Sequence, residues 1–272
     1  MTAITNFKSI YVNSSPAYRD LGGTNENFTI TENGNHFSRL PRRVKLMKAN
    51  IPYTWNNITV ANNSFILKEF PGPTTFNVTI PDGHYNGTEL ATAIQTALNT
   101  SGAAYTYTVT FSTTTLHFTI SATGNFSLDF TGSNSIATQM GFPVGYISPV
   151  GATTDSTIVA QLVPDYEIFI CSDLVEGCDN GIVRFTPDPP ATSAALGGIL
   201  AVIPLSACFG AVIGFQDCCD GPFFPISQSY YGKVRSIDDN ALKSMSFFLQ
   251  FPSGIPVNLN GAHWSAQLLF EF

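Results

Sequence analysis

The stretch that decides the fold reads Tyr105-Thr-Tyr-Thr-Val-Thr-Phe111, in which large apolar residues alternate with small polar ones. Successive side chains of a β-strand point to opposite faces, so this alternation predicts a strand with one buried face. After Ser112 to Thr115 the chain returns with Leu116, Phe118 and Ile120 on one face. The two runs together predict a β-hairpin.

The same period of two recurs along the chain. Runs of alternating apolar residues predict further strands, separated by turns that are rich in Gly, Pro, Asn and Ser. Many short strands, few helices and no repeat or low-complexity linker are typical of a β-sandwich or jelly roll. The additional strands are expected at 28–30, 76–80, 126–130, 166–170, 245–251 and 264–272.

One segment has helical spacing instead. Apolar residues recur three to four positions apart, which predicts a helix near 88–99. They are Leu90, Ile94, Ala97 and Leu98. Asn86 is the expected N-cap, and Glu89 three residues later completes a capping-box pattern. The following Thr-Ser-Gly sequence is expected to end the helix.

Composition narrows the classes of function. The chain has 272 residues, of which only 11% are charged, and it contains 22 Phe. This length suits one large β domain or two small ones. Because so few charges are available for the surface, we expect much of that surface to contact other protein. The net charge of −7 argues against a nucleic-acid-binding protein, which needs a basic face.

Four basic residues are concentrated in one segment of the sequence, 42–48. We interpret it as the solvent side of a strand in which Val44 and Leu46 point inward. The alternative is a contact with phosphate or with a partner. The basic residues are Arg42, Arg43, Lys45 and Lys48.

Two features bear on secretion and membranes. Residues 1–6 show no basic segment followed by an apolar core, so no secretory signal is expected. Residues 191–215 are uncharged, mostly apolar and long enough to span a bilayer, but Pro204 and several glycines interrupt them. We therefore predict two buried strands, 199–203 and 211–215, and no membrane span.

The sequence contains no recognisable catalytic, cofactor-binding or metal-binding site, and none is predicted. Its five cysteines lack the C-x-x-C spacing of a zinc site, and their odd number leaves at least one unpaired within the chain. His84 is interpreted as a turn residue and not as half of a catalytic dyad. Four acidic residues in polar turns offer too few ligands for calcium. They are Asp217, Asp220, Asp238 and Asp239.

Exposed aromatic residues are the remaining sign of a binding site. Tyr or Trp near Asn or Asp would support a module that binds a receptor or a glycan. The candidates are Trp55 and the pair Tyr230-Tyr231. The alternative for these residues is packing in the core or in an interface.

Several motifs, in order along nearly the whole chain, resemble one known group of proteins. The segment Ile80-Pro-Asp-Gly-His-Tyr-Asn-Gly-Thr-Glu-Leu90 resembles a strand ending in G-x-Y that leads into a short helix and a hairpin. Ile136-Ala-Thr-Gln-Met-Gly-Phe142 resembles a later stretch ending in L-G-F, with Met140 replacing Leu. Further similar segments are 43–58, 168–174, 199–205 and 256–270. Together they resemble the jelly-roll penton and minor capsid proteins of large double-stranded DNA viruses and virophages.

The resemblance implies an all-β jelly-roll sandwich without catalytic residues, with strands roughly perpendicular to a capsid surface. Major capsid proteins with two jelly rolls are much longer chains. At 272 residues the chain fits a single jelly-roll domain, 1–272, with insertions. The helix-plus-hairpin block at about 86–142 is then expected to be one insertion.

The function implied by the resemblance is that of a structural virion protein and not an enzyme. The first expectation is the penton, a homopentamer at the icosahedral five-fold vertices. Its expected partners are itself and neighbouring major capsid proteins, without direct contact to nucleic acid. Its expected location is the virion, assembled inside the host cell. Two alternatives stay open: a minor capsid or cement protein, and a jelly-roll module that binds a receptor or a glycan.

Overall fold

The structure is a computed structural model that describes residues 7–31, 41, 43–72, 74–163, 166–175, 198–216, 235–236 and 244–272. The chain divides into two compact units. Unit 1 consists of Met1–Thr54 and Asp165–Phe272, and unit 2 is Trp55–Pro164. Unit 2 is therefore inserted into the sequence of unit 1.

The described residues form mostly β-strands. Two helices are present, α1 (Gly87–Thr100) and the short α2 (Ala137–Met140). In chain order the strands are β1 (Phe7–Asn13), β2 (Asn27–Thr31), β3 (Arg43–Pro52), β4 (Ser64–Glu69), β5 (Thr74–Thr79), β6 (Tyr107–Phe111), β7 (Phe118–Asp129), β8 (Gly151–Asp155), β9 (Glu167–Ser172), β10 (Gly198–Pro204), β11 (Val212–Gln216), β12 (Arg235–Ser236), β13 (Ser244–Gln250) and β14 (Ser265–Glu271).

Unit 1 contains two antiparallel sheets. Sheet 1 has the order β1-β14-β3-β11, and β12 also pairs with β3; sheet 2 has the order β10-β9-β13-β2. If the eight longer strands of this unit are counted 1 to 8 along the chain, the orders are 1-8-3-6 and 5-4-7-2. Two four-stranded sheets with this crossing connectivity are the arrangement of a jelly roll. The predicted fold class is confirmed.

The core of unit 1 lies between the inner faces of these sheets. Trp264, just before β14, is 1% exposed, and its ring meets that of Phe28 on β2 edge-on at a centroid distance of 5.6 Å. Because the two residues belong to different sheets, this contact joins the sheets. Phe28 also contacts Phe247 of the neighbouring strand at 5.8 Å.

The predicted C-terminal strand is confirmed. β14 pairs with β1 on one side and with β3 on the other, so it is an inner strand of sheet 1. Ala266, Leu268 and Phe270 are buried, whereas Gln267 between them is exposed. The backbone of Trp264 is tied to Ser14 by hydrogen bonds in both directions, at 3.0 and 2.9 Å.

The basic run lies on β3 with the predicted orientation. Val44 and Leu46 are fully buried, and Arg43 and Lys48 are exposed; Arg42 lies outside the described residues. The pairing register between β14 and β3 shifts beside Met47. This β-bulge brings Lys45 and Lys48 to the same outer face, although they are an odd number of positions, three, apart in sequence.

The apolar stretch at 191–215 forms two strands from residue 198 onward, and 191–197 lie outside the described residues. β10 has the predicted burial, with Leu200, Ala201 and Ile203 inside. The prediction that the second strand is buried is wrong, because only Ile213 of β11 is buried. β11 is the edge strand of sheet 1, so most of its residues face solvent. No helix in the described part of the chain is long and apolar enough to cross a membrane.

Unit 2 contains a third sheet, sheet 3, with the order β5-β4-β7-β6 and with β8 beside β7. The predicted hairpin is confirmed as β6 paired with β7. Leu116 was predicted in its second strand, but it has a φ of +57° and is 43% exposed in the turn. The strand begins at Phe118 and continues to Asp129, so the two separately predicted runs form one strand.

The predicted helix is confirmed as α1. The Asn86 side chain accepts from the backbone N–H of Glu89, and the Glu89 carboxylate accepts from the N–H of Asn86, each at 2.9 Å. Leu90, Ile94 and Leu98 are buried and pack with the apolar face of sheet 3. The Ile136–Phe142 motif contains α2, which ends at Gly141 with a left-handed φ of +76°.

Asn57 closes the inserted unit on itself. This 3% exposed side chain accepts from Tyr85 N at 2.9 Å and donates to Tyr85 O at 2.8 Å. The same amide donates to Leu162 O at 2.9 Å. One side chain therefore links a residue near the start of unit 2 to Leu162 near its end. The block at 86–142 lies inside this unit, which also includes β4, β5 and β8.

Candidate interaction surfaces

The described histidines and cysteines, for which the sequence predicts no catalytic or metal-binding role, are dispersed along the chain. His84, His117 and His263 lie in separate connections between helices and strands, and no group of three or more His, Cys, Asp or Glu among the described residues is arranged to hold a metal. Cys171 is buried in β9, and Cys208 is exposed between β10 and β11. Several residues considered from the sequence lie outside the described part: His36, Cys178, Cys218, Cys219, Asp217, Asp220, Asp238 and Asp239.

His84 lies in the connection between β5 and α1. Its Nδ1 lies 3.2 Å from the backbone oxygen of Trp55. Burial lowers the pKa of His84, although the contact with Trp55 and the charge of Glu89 oppose this shift. The imidazole therefore has a structural contact to the backbone.

The aromatic candidates do not form an exposed binding site in the described residues. Trp55 is 3% exposed, so its alternative interpretation as a packing residue is correct. Tyr230 and Tyr231 lie outside the described residues. Tyr11 on β1 is 64% exposed, and the sequence analysis did not select it as a candidate.

Tyr11 belongs to the outer face of sheet 1. We use this name for the residues of the sheet that alternate with its buried ones and point away from the core. The pairing places Tyr11 opposite Gln267, and Gln267 opposite Lys48. On the next row Ser265 lies between Asn13 and Asn50. The face comprises Phe7, Ser9, Tyr11, Asn13, Arg43, Lys45, Lys48, Asn50, Pro52, Val212, Gly214, Gln216, Ser265, Gln267, Leu269 and Glu271.

A shallow pocket lies in the middle of this face. Its volume is about 210 Å³, and it is lined by Tyr11, Lys48, Asn50, Ser265, Ala266 and Gln267. Gly214 pairs with Asn50 and has open space where a Cβ would be. Because the row of Asn50 carries short side chains while Tyr11 and Lys48 project from the row beside it, the surface forms a groove and not a flat face.

Unit 2 has a very different surface. Between residues 55 and 164 its only lysine or arginine is Lys68. The outer side of β6, β7 and β8 carries hydroxyl side chains in register, with Thr108 opposite Ser121 and Ser121 opposite Thr153. In the next row Thr119 donates to Asp155 at 2.6 Å. This face is polar but almost uncharged.

A buried polar cluster supports the start of β6. Glu69 at the end of β4 accepts hydrogen bonds from the N–H groups of Ala104 and Tyr105, at 3.0 and 2.9 Å. It also accepts from the hydroxyl of Tyr107 at 2.9 Å. Burial, followed by this bond to Glu69, raises the pKa of Tyr107. These hydrogen bonds join the end of β4 to the start of β6, so the cluster holds β6 against β4.

The ion pair between Lys68 and Asp129 should make the stability of unit 2 depend on pH. The Nζ–Oδ2 distance is 2.8 Å, and the bonds from Lys68 and Thr131 lower the pKa of Asp129 to about 2. An Asp in an unfolded chain titrates near about 4. The stabilisation is therefore complete above about pH 4 and is lost as the pH falls through about 2.

We expect Asp129→Asn to remove part of this acid sensitivity. Between pH 5 and pH 2 the free energy of unfolding of the parent should fall by about 1–2 kcal/mol more than that of the variant. The difference is limited to this size because Lys68 is partly solvent-exposed. Urea unfolding at several pH values measures the difference. Asp155→Asn is the matched control on the exposed face, and equal acid profiles for the parent and Asp129→Asn would contradict the prediction.

The fold of the chain is similar to that of a jelly-roll penton protein. The structure matches that of the mavirus (virophage) penton protein with a TM-score of 0.51 and 11% sequence identity, over 98% of this chain and 99% of that chain. At this identity the likeness shows a common fold. A match to the D2–D3 domains of the flagellar cap protein FliD from Escherichia coli has a TM-score of 0.17 and 10% identity, over 89% of this chain and 99% of that one. That score is too low to indicate a common fold.

Sequence comparison adds no relative. No protein-family profile matches the chain. No curated protein sequence matches it significantly. The likeness to a penton protein is therefore a likeness of three-dimensional structure.

Proposed function

We propose that this chain is a structural capsid protein that occupies the five-fold vertex of a double-stranded DNA virus or virophage. One observation carries the proposal: the jelly-roll strand order in unit 1, in a chain that matches the mavirus penton protein over nearly its whole length. A jelly roll alone is found in proteins with many functions, so the match over the full length supports this choice within the class.

The domain organisation supports the vertex position. The chain has one jelly roll and one inserted unit, and not the two jelly rolls of the longer major capsid proteins. We propose a single jelly-roll domain from 1 to 272 that carries unit 2 between β3 and β9. The helix-hairpin block is part of that insertion.

The proposed assembly is a closed ring of five copies, surrounded by major capsid proteins in the virion after assembly inside the host cell. A ring with five-fold symmetry requires a heterologous contact, in which two different surfaces of the subunit meet. The proposed role is structural, and it requires neither a cofactor nor direct contact with nucleic acid.

The test is the mass and shape of the purified full-length protein. We expect a particle with five times the mass of the single chain in native mass spectrometry and light scattering, and five-fold rings in electron micrographs. A strict monomer at high concentration would contradict the penton position. It would favour the minor capsid or cement protein, which shares the fold but does not form the vertex ring.

A further inference from the structure

We propose that the outer face of sheet 1 is a subunit contact surface, and that its occupant is a second copy of this chain. This inference rests on the proposed function, because it names the face through which a capsid subunit meets its neighbour. Three observations support it: the side chains on the face, the groove between them and the sign of its charge.

The side chains of the face have the composition of an interface. Tyr11 is 64% exposed and Phe7 is 57% exposed, and both lie on the same side of β1. Val212 on the opposite edge strand is 57% exposed. Phe7 and Tyr11 are four residues apart on β1, and Val212 lies on the opposite edge of the sheet, so the exposed apolar groups are distributed across the face. Tyr is among the residues that contribute most to binding at interfaces. Gln267 lies beside Tyr11, and its amide donates to Ser9 at 2.7 Å, which fixes its position.

The groove gives the face a shape that a partner side chain can enter. Tyr11 and Lys48 line one pocket of about 210 Å³, with Asn50 and Ser265 also lining it. A well-packed interface places projecting side chains into such depressions. At about 210 Å³ the pocket is smaller than the clefts that hold drug-sized ligands, which argues against a small-ligand site.

The charge of the face decides which partner fits. Among the described residues of the face, Arg43, Lys45 and Lys48 are accompanied by one acid, Glu271, whose carboxylate lies 3.7 Å from Arg43. The chain as a whole has a net charge of −7. Another copy is therefore an anionic partner for this cationic face, and complementary charge favours correct docking.

The same charge sets the symmetry of the contact. In a two-fold contact the outer faces of two subunits would meet each other. Lys48 of one subunit would then approach the cationic face of the other, which like-charge repulsion disfavours. The face must instead meet a different, more acidic surface of the neighbour. Such a heterologous contact closes into a ring when the rotation between subunits allows it.

Two substitutions test this face in the full-length protein. We expect Lys48→Glu and Tyr11→Ala each to raise the concentration at which the assembly dissociates by about tenfold or more, while the thermal unfolding of the dissociated chain is unchanged. Added salt should weaken the parent assembly more than that of Lys48→Glu, because the charge attraction is already lost in the variant. The matched controls are Tyr166→Ala and Asn77→Glu, at exposed positions outside this face, and they should assemble as the parent does.

Each outcome separates this inference from the proposed function. If the parent forms rings and both variants form rings of parental stability, the contact lies elsewhere and the face assignment is overturned, while the penton proposal stands. If the variants form normal rings but fail to enter capsids, the face binds another capsid protein and the second-copy assignment is overturned. A monomeric parent contradicts the penton proposal itself.

Discussion

Replacing Trp264 with Ala should lower the free energy of unfolding by about 3–5 kcal/mol, because the indole fills the space between the two sheets of the jelly roll. Trp264 is 1% exposed and contacts Phe28 of the opposite sheet. A loss of this size is a large part of the stability of a typical domain. Urea or thermal unfolding of the purified variant measures it.

Removing residues 267–272 should have a still larger effect. β14 lies between β1 and β3, so its loss leaves two strand edges without a partner. Unpaired edges are templates for aggregation, and the truncated protein is expected to be insoluble. Tyr166→Ala is the control, because Tyr166 is exposed. If both Trp264→Ala and the truncation stay soluble and melt within a degree or two of the parent, the C-terminal strand does not close the core.

Trp264→Phe separates packing from hydrogen bonding. The indole Nε1 is buried and has no hydrogen-bond partner within the described residues. Phe keeps most of the ring volume and removes this unsatisfied donor. We therefore expect the cost of Trp264→Phe to be well below that of Trp264→Ala. Equal costs would show that the indole nitrogen has a partner or that the ring shape is decisive.

Replacing Asn57 with Leu should destabilise unit 2 by about 2–4 kcal/mol, since a side chain of similar size removes the hydrogen bonds to three partly buried backbone groups. These groups are the N–H and the carbonyl of Tyr85 and the carbonyl of Leu162. Hydrogen exchange of the Tyr85 amide and urea unfolding report the change. Asn77→Leu, at an exposed position of β5, is the matched control.

The location of the exchange tests the reason for the loss. We expect faster exchange first at Tyr85 and at the ends of unit 2, because the side chain joins these segments. If Asn57→Leu unfolds at the parental urea concentration with unchanged exchange at Tyr85, the hydrogen bonds of Asn57 do not contribute to the closure of the unit.

Local features of this fold could be predicted from the sequence. The capping box of Asn86 and Glu89 and the spacing of Leu90, Ile94 and Leu98 act within two or three turns, and α1 follows them. The strands could also be predicted, because the alternation with a period of two is a local property of each strand. The prediction failed at Leu116, because an apolar side chain continued the alternation through a residue with positive φ.

Features that depend on distant residues could not be predicted. The edge position of β11 follows from its pairing with β3, far away in sequence, so its apolar residues gave no sign of their exposure. The clamp by Asn57 needs Leu162, and an asparagine in an Asn-rich chain carries no sign of such a role. The outer face of sheet 1 was missed because Tyr11 and Val12 are neighbours of opposite orientation, so that β1 has apolar residues on both faces.

The clamp at the ends of unit 2 also has a consequence for the order in which the chain folds. The strands of sheet 1 and sheet 2 on either side of the insertion, β3 and β9, are separated by more than a hundred residues of sequence. The entropy lost on closing a loop grows with the logarithm of its length. If unit 2 folds first, the Asn57–Leu162 contact reduces the loop to about ten flexible residues, which lowers the closure cost by about 2 kcal/mol. The strands of the jelly roll then pair after unit 2 is already compact, and a long-range β topology that would otherwise fold slowly becomes a more local one.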